Sequence, residues 1–473
     1  MSNYCILWFR KDLRLQDNCA LLEASKHKGI IPIFIFDNQI HEYSKIGGAS
    51  LWWLERSLES LNKQLNGKLK ILFGNSYNIL SQICEENKIK HIYWNRCYEP
   101  DRILADTTIK KKLTNKNINV KSFNSSLLWE PWTIKNKSGN FYKVFTPFFK
   151  KGCLESDSPR KPLINKEKNT FVSLEGEFTE YKFVYNINAN FWYKKFDKIW
   201  NVSEDAALIK FEDFLEKGFQ DYSEGRNHPN KNNVSRISPY LHWGQISPFK
   251  IWDDVSEKDN GKNKETFLSE LGWREFSYHL LYHYPNINNT NLKIQFNSLK
   301  WDNNFDLLES WKKGTTGYPI VDAGMRELWE TGYMHNRVRM ITASFLVKNL
   351  LIHWKYGEEW FWDCLVDADL ANNSASWQWV AGTGSDAAPF FRIFNPITQS
   401  LKFDKEANYI RKFIPEISKL PDKYIFSPWL ADSNTLKESN LKLGKDYPYP
   451  IIDYSYSRER ALAAFKNIKN TNL

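Results

Sequence analysis

The sequence predicts a two-part protein: an α/β half with a parallel sheet, a long connecting segment, and an all-α half. Three observations carry that prediction. The length of 473 residues exceeds one ordinary core, since domains run to roughly 100 to 200 residues. The first part alternates short apolar runs with segments of helical period. From about Ser203 onward helical period dominates.

The apolar runs are residues 4–9, 31–36, 69–73 and 91–94, and helical spacing fills 50–65 and 77–87 between them. Strand, helix, strand in that order needs crossovers and hence a parallel sheet, which sets an α/β domain at 1–130. The rhythm fades after about Val120. Residues 131–190 are rich in Asn, Lys, Ser and Pro without a sustained period, which predicts a linker over 131–200 wrapped on the surface. The helical domain, 201–473, rests on periodic segments at 205–217, 264–284, 322–331, 338–354, 358–368 and 456–466. The chain stops soon after the last of these, so no long C-terminal tail is expected.

Lysine and arginine number 65 against 55 acidic residues, giving a formal charge of +10. That excess suits a polyanionic partner such as nucleic acid, and equally an ordinary basic protein. The six cysteines (Cys5, Cys19, Cys84, Cys97, Cys153, Cys364) lack paired spacing, so reduced thiols in the cytoplasm are expected, and no metal site. No stretch approaches the ~18 apolar residues of a membrane span, and no cleavable leader is expected, since charge directly follows the first short apolar run. Aromatic residues make up 16% of the chain, with 20 tryptophans, more than packing alone demands.

Two blocks are long enough to be specific: LWFRKDLRLQDN at 7–18, and a run that includes GYPIVDAGMRELWETGYMHNRVRM at 317–340 and WQWVAGTGSDAAPFFRIFNP at 377–396. Together they resemble the photolyase and cryptochrome family, most closely the bacterial cyclobutane pyrimidine dimer photolyases, over nearly the whole chain. The resemblance implies a Rossmann-like α/β antenna domain, a linker and an all-α FAD-binding catalytic domain. It also implies a deoxyribodipyrimidine photolyase, in which blue light drives an electron from reduced FAD into a cyclobutane dimer flipped out of DNA. The alternative it leaves is a cryptochrome-type photoreceptor without repair activity.

Carried onto this chain, the resemblance gives the flavin phosphates to Ser235, Arg236, Ile237 and Ser238, with Tyr222 and Arg274 nearby. Val234 departs from the threonine often found there, which removes one hydroxyl. Read alone, SRIS is an ordinary capped turn. Asp367 and Asp369 would face the ribityl chain and the polar ring edge, with Arg339 pairing Asp367, since a buried carboxylate needs a partner. Asn373 falls opposite the central ring nitrogen, where an amide stabilises an electron-rich ring without adding charge. Asn372 is read as a helix-interrupting turn more readily than Asn373.

Trp377, Trp354 and Trp301 align with the electron-relay triad, although each would otherwise read as a core aromatic. Trp360 and Trp362 offer an alternative path. Trp273 and Trp379 match the walls of the lesion pocket, and Glu270, Asn336 and Met340 its polar and thioether floor. Enzymes of the family acting on the pyrimidine-pyrimidone photoproduct carry a catalytic histidine where this chain has Asn336, which favours cyclobutane dimers. His335 is expected to be structural. Arg226, Arg337 and Arg392 match residues that hold phosphates beside the lesion.

The antenna is expected to be 5,10-methenyltetrahydrofolate, with a deazaflavin as the alternative. Residues 40–58 and the NRCYEP turn lie where it would bind, with Glu99 as the one candidate contact. DNA containing pyrimidine dimers is the expected partner, and a monomer the expected state.

Overall fold

The computed structural model describes residues 3–40, 45–164, 169–183, 192–259 and 261–470. Five strands, β1 (Tyr4–Phe9), β2 (Gly29–Phe36), β3 (Lys70–Phe73), β4 (His91–Asn95) and β5 (Asn119–Phe123), form one parallel sheet in the order β3-β2-β1-β4-β5. Helices α1 (Cys19–Ala24), α2 (Gly48–Gln64), α3 (Ser76–Glu86) and α4 (Pro100–Thr114) supply the crossovers. Asn18 and Asn75 start α1 and α3 by accepting backbone N–H bonds, as short polar side chains do at helix N-termini. β5 was not expected as a strand. Of its five residues only Val120 is buried, so it carries no apolar run.

The sheet's central strand, β1, ends in the sequence RKDLRLQD, which turns towards the helical half. Leu13 N–H donates to the carbonyl of Trp243 (3.1 Å), and the Arg14 guanidinium donates to the carbonyl of Gly244 (2.8 Å). Gly244 has φ of +71°, and a β-carbon there would lie 2.1 Å from the carbonyl oxygen of Lys11. Glycine therefore lets the two halves meet backbone to backbone.

Part of the linker is packed more deeply than a surface wrap. A short helical turn, Phe145–Pro147, runs into a π-helical turn, Phe148–Cys153, and Phe145, Phe148, Phe149 and Cys153 are all buried. Further on, Ile30 N–H donates to the carbonyl of Thr170 and Phe73 N–H to that of Thr179, so the linker also borders the sheet. Residues 165–168 and 184–191 of the linker lie outside the described residues.

The helical half contains α5 (Glu204–Asp213), α6 (Gly261–His283), α7 (Pro319–Thr331), α8 (Asn336–Ser344), α9 (Trp354–Cys364), α10 (Leu370–Ala381) and α11 (Tyr454–Asn470), with shorter helices between them. The expected helix over 338–354 is interrupted. α8 passes into a π-helical turn, Phe345–Asn349, and the chain breaks before α9, with Leu351 at φ +53°. Residues 345–352 are buried all round, so their apolar pattern does not distinguish a helix from an irregular core segment. α9 in turn ends at Cys364, short of the expected Ala368. Asn372 and Asn373 lie inside α10 and do not interrupt it.

Candidate active site

Helices α6, α8 and α10, with the segment 234–242, enclose a cavity of about 530 Å³. Tyr222, Ser235, Arg236, Ile237, Ser238, Arg274, Arg339, Asp367, Asp369 and Asn373 all line it, as do Glu270, Trp273, Asn336, Met340, Trp377 and Trp379. Residues separated by more than 150 positions thus meet around one cavity.

One end is polar and internally satisfied. Arg339 Nη2 donates to both oxygens of Asp367 (3.1 and 2.9 Å), the pairing expected from the sequence, and Ser238 Oγ donates to Asp367 Oδ2 (2.6 Å). Asp369 caps α10 by accepting from Asn372 N–H (2.9 Å), while its other oxygen faces His242 Nδ1 (3.2 Å) and the Tyr278 hydroxyl. Although burial opposes the charge, His242, Lys11 and Tyr278 hold the Asp369 carboxyl well below the usual range. His242 and Tyr278 were not singled out from the sequence. Their signal is only their place in LHWGQIS and on the face of α6 that carries Arg274.

Arg236 stands at φ +52°, a left-handed conformation costly for a side chain with a β-carbon. Its guanidinium lies 3.7 Å from Glu327 and 5.0 Å over the Tyr333 ring. Arg274 pairs with Glu275 (2.9 Å), whose carboxyl burial pushes up to about 7.

Also lining the cavity, Arg226 forms an ion pair with Glu270. Arg226, expected beside flanking phosphates, therefore lies in the cavity wall. Arg337 lies outside it, donating to Asn227 Oδ1 (2.5 Å) and sitting 4.4 Å over Phe403. Arg392 is exposed on the loop after α10, and its carbonyl accepts from Lys348 (2.8 Å). His335 is buried, as expected of a structural residue. Its Nδ1 accepts from Arg337 N–H (3.2 Å) and caps α8, while burial and four nearby arginines push the ring down to about 3.

Asn373, which lines the cavity, donates through Nδ2 to the carbonyl of Glu358 (3.0 Å). The Glu358 carboxyl accepts from Ser374 and is pushed up to about 7 by burial.

The three tryptophans expected to form a relay differ in burial. Trp377 and Trp354 are buried, and Trp301 is half-buried. Trp354 Nε1 donates to Asn291 (2.9 Å). Between Trp354 and Trp301 stands the His353 ring, with centroids 5.4 and 5.0 Å from the two indoles. The helix break explains this meeting: Asp302 N–H donates to the carbonyl of Leu351 (2.9 Å), and His353 N–H donates to Asn303 (3.0 Å). Trp360 stacks on Trp329 (5.9 Å, 5° between planes), which stacks on Trp192 (4.2 Å, 11°). Trp362 Nε1 donates to the carbonyl of Lys45 (2.7 Å).

Glu99, the candidate antenna contact, is buried and ion-paired with Lys11. Of the segment 40–58, residues 41–44 lie outside the described residues.

The cavity has the size of a cofactor site, a charged end suited to a ribityl-phosphate chain, and aromatic walls suited to a planar ring system. Residues 267–467 match the FAD-binding domain of DNA photolyase, which makes this a flavin-binding protein. Residues 5–165 match the DNA photolyase family. A deoxyribodipyrimidine photo-lyase of Agrobacterium fabrum is 44% identical over 98% of both chains, and cryptochrome-2 of Arabidopsis thaliana is 33% identical over all of this chain and 80% of its own. The crystal structure of a class III photolyase from Agrobacterium tumefaciens superposes with a TM-score of 0.92 at 42% identity, covering 99% of this chain and 98% of the other. The chain belongs to the DNA photolyase family.

No described helix is long and apolar enough to cross a membrane, and among the described residues no cluster of metal-ligating side chains occurs.

Proposed function

We propose that this protein is a cyclobutane pyrimidine dimer photolyase acting on dimers flipped out of DNA. The observation that carries the reading is that Glu270, Trp273, Asn336, Met340 and Trp379 line the same cavity as Asn373, Asp367 and Asp369. A lesion held by the first group touches whatever ring system the second group holds.

Bound in the cavity, reduced FAD supplies the electron that blue light drives into the dimer. The protein's own residues do the rest. Flipping a dimer costs a few kcal/mol, least for a damaged site, and stacking on Trp273 and Trp379 returns ~1–3 kcal/mol per base. Arg226 fixes one oxygen of Glu270, leaving the other for a pyrimidine edge and for the charge that develops on it. Asn373 presents its amide oxygen to the cofactor ring, and Ser235, Arg236, Ile237, Ser238, Tyr222 and Arg274 hold its phosphate side. Trp377, Trp354 and Trp301 return electrons from the surface, with the His353 ring beside the outer step. Arg337 and Arg392 hold strand phosphates without reading sequence.

In the α/β half we propose a folate antenna, with a deazaflavin as the other chemistry. The protein acts as a monomer, because a DNA face needs no symmetry mate.

The test is to illuminate the flavin-reduced protein with two oligonucleotides, one carrying a cyclobutane thymine dimer and one a pyrimidine-pyrimidone photoproduct. Repair of the first alone supports the assignment, since neither Asn336 nor Met340 can donate the proton a histidine would. Repair of the second overturns the substrate, and repair of neither by protein with bound flavin points to a photoreceptor.

A further inference from the structure

The linker contributes a layer of rings packed against the cavity residue Trp273 that the sequence did not suggest. Phe145 lies face to face with Trp273, with ring centroids 3.7 Å apart and planes 11° apart. Phe149 stacks behind Phe145 at 5.7 Å and 9°. The tier sits close to α6 because Gly272 has no side chain; a β-carbon there would come within 2.4 Å of the Phe149 ring.

The same stretch is tied to the loop that follows α10. Phe145 N–H donates to Asp386 Oδ2 (2.8 Å), and Ser385 Oγ donates to the carbonyl of Lys143 (2.8 Å). Ser385 and Asp386 line the cavity, and two residues later Ala388 N–H donates to the carbonyl of Trp379 (3.1 Å). The linker therefore joins the wall bearing Trp273 to the loop that follows Trp379. Phe145 does not line the cavity.

An aromatic wall helps binding most when its rotamer is fixed beforehand, because freezing a side chain on association costs affinity. Trp273 is half-buried, with one face covered by Phe145. We infer that Phe145, anchored by Asp386, is a positioning residue that presets the Trp273 indole for the flipped dimer, so that the linker takes part in lesion recognition. The inference rests on the proposed role of Trp273 and deepens it.

The measurement is dark binding of the flavin-containing protein to labelled oligonucleotides, with and without one cyclobutane thymine dimer, followed by fluorescence anisotropy. Phe145→Ala is expected to weaken dimer binding about tenfold, the scale of one well-placed aromatic contact, and to leave undamaged-strand binding unchanged. Phe145→Tyr restores the stack and the affinity. Phe145→Leu fills the core without the stack and carries the test if the alanine variant does not fold; flavin absorbance reports the fold. Wild-type dimer affinity in the alanine and leucine variants, alongside a loss in Trp273→Ala, overturns the inference and leaves the function intact. If the wild-type protein itself does not distinguish the dimer from undamaged DNA, the role of Trp273 fails and the inference falls with it.

Discussion

Gly357 and Trp377 are in direct contact across α9 and α10: a β-carbon on Gly357 would lie 2.1 Å from the Trp377 ring. The glycine sits one turn beyond Trp354, so it sets how closely the helix bearing Trp354 approaches Trp377.

Gly357→Ala should therefore push the Trp377 indole from its place. Overpacking a filled core costs about 1–3 kcal/mol. Slower photoreduction of the bound flavin is expected alongside a lower unfolding midpoint. Photoreduction at the wild-type rate in a destabilised variant would separate the packing from the relay.

His335 links acid sensitivity to the cap of α8. Its folded-state pKa, about 3, lies below the ordinary 6.5, so the unfolded chain binds the extra proton first. The stability it secures is fully present above pH 6.5 and is lost as the pH falls towards 3. At pH 5 the loss is about 2 kcal/mol, from 1.36 kcal/mol per unit. His335→Asn keeps an oxygen to cap Arg337 N–H and removes the titration. Denaturant melts at pH 7 and pH 5 should show a smaller difference for the variant than for the wild type.

These two predictions rest on features with unequal visibility in the sequence. The parallel sheet was legible because β1 and β2 are continuous apolar runs, as strands buried on both faces must be. β5 was not, because Asn119, Lys121 and Ser122 face outward or half outward at the sheet edge. Of the cavity residues, Asn336, Arg339, Met340, Trp377 and Trp379 fall within the long motif blocks, whereas Tyr222, Ser235, Glu270, Trp273 and Arg274 lie in shorter, less distinctive stretches. The break at 350–353 was invisible to periodicity, yet it is what brings Trp301 to His353. Phe145 was hidden for another reason: it lies in a stretch without period, and its stacking on Trp273 depends on contacts with residues more than a hundred positions away.

Arg337 lies outside the cavity and is held by Asn227 and Phe403. A phosphate contact there should show in the salt dependence of binding. Arg337→Ala is expected to weaken damaged and undamaged strands alike, and to reduce the slope of log affinity against log salt by about 1. An unchanged slope would remove Arg337 from the DNA face.

Glu270 shares the cavity with Trp273 and Trp379 and is paired by Arg226. Glu270→Gln retains a hydrogen-bonding group while removing the charge, so dimer binding should fall less than in Glu270→Ala. The light-driven yield should fall in both. Equal binding and equal yield in the wild type and both variants would show that this carboxylate does not meet the substrate.

The most direct measurement is recovery of thymine absorbance from an oligonucleotide bearing one cyclobutane dimer, mixed with the flavin-reduced protein and followed under blue light and in the dark. Recovery in the light, with none in the dark, is the predicted result. No recovery in the light, from protein whose flavin is bound and reduced, would contradict it.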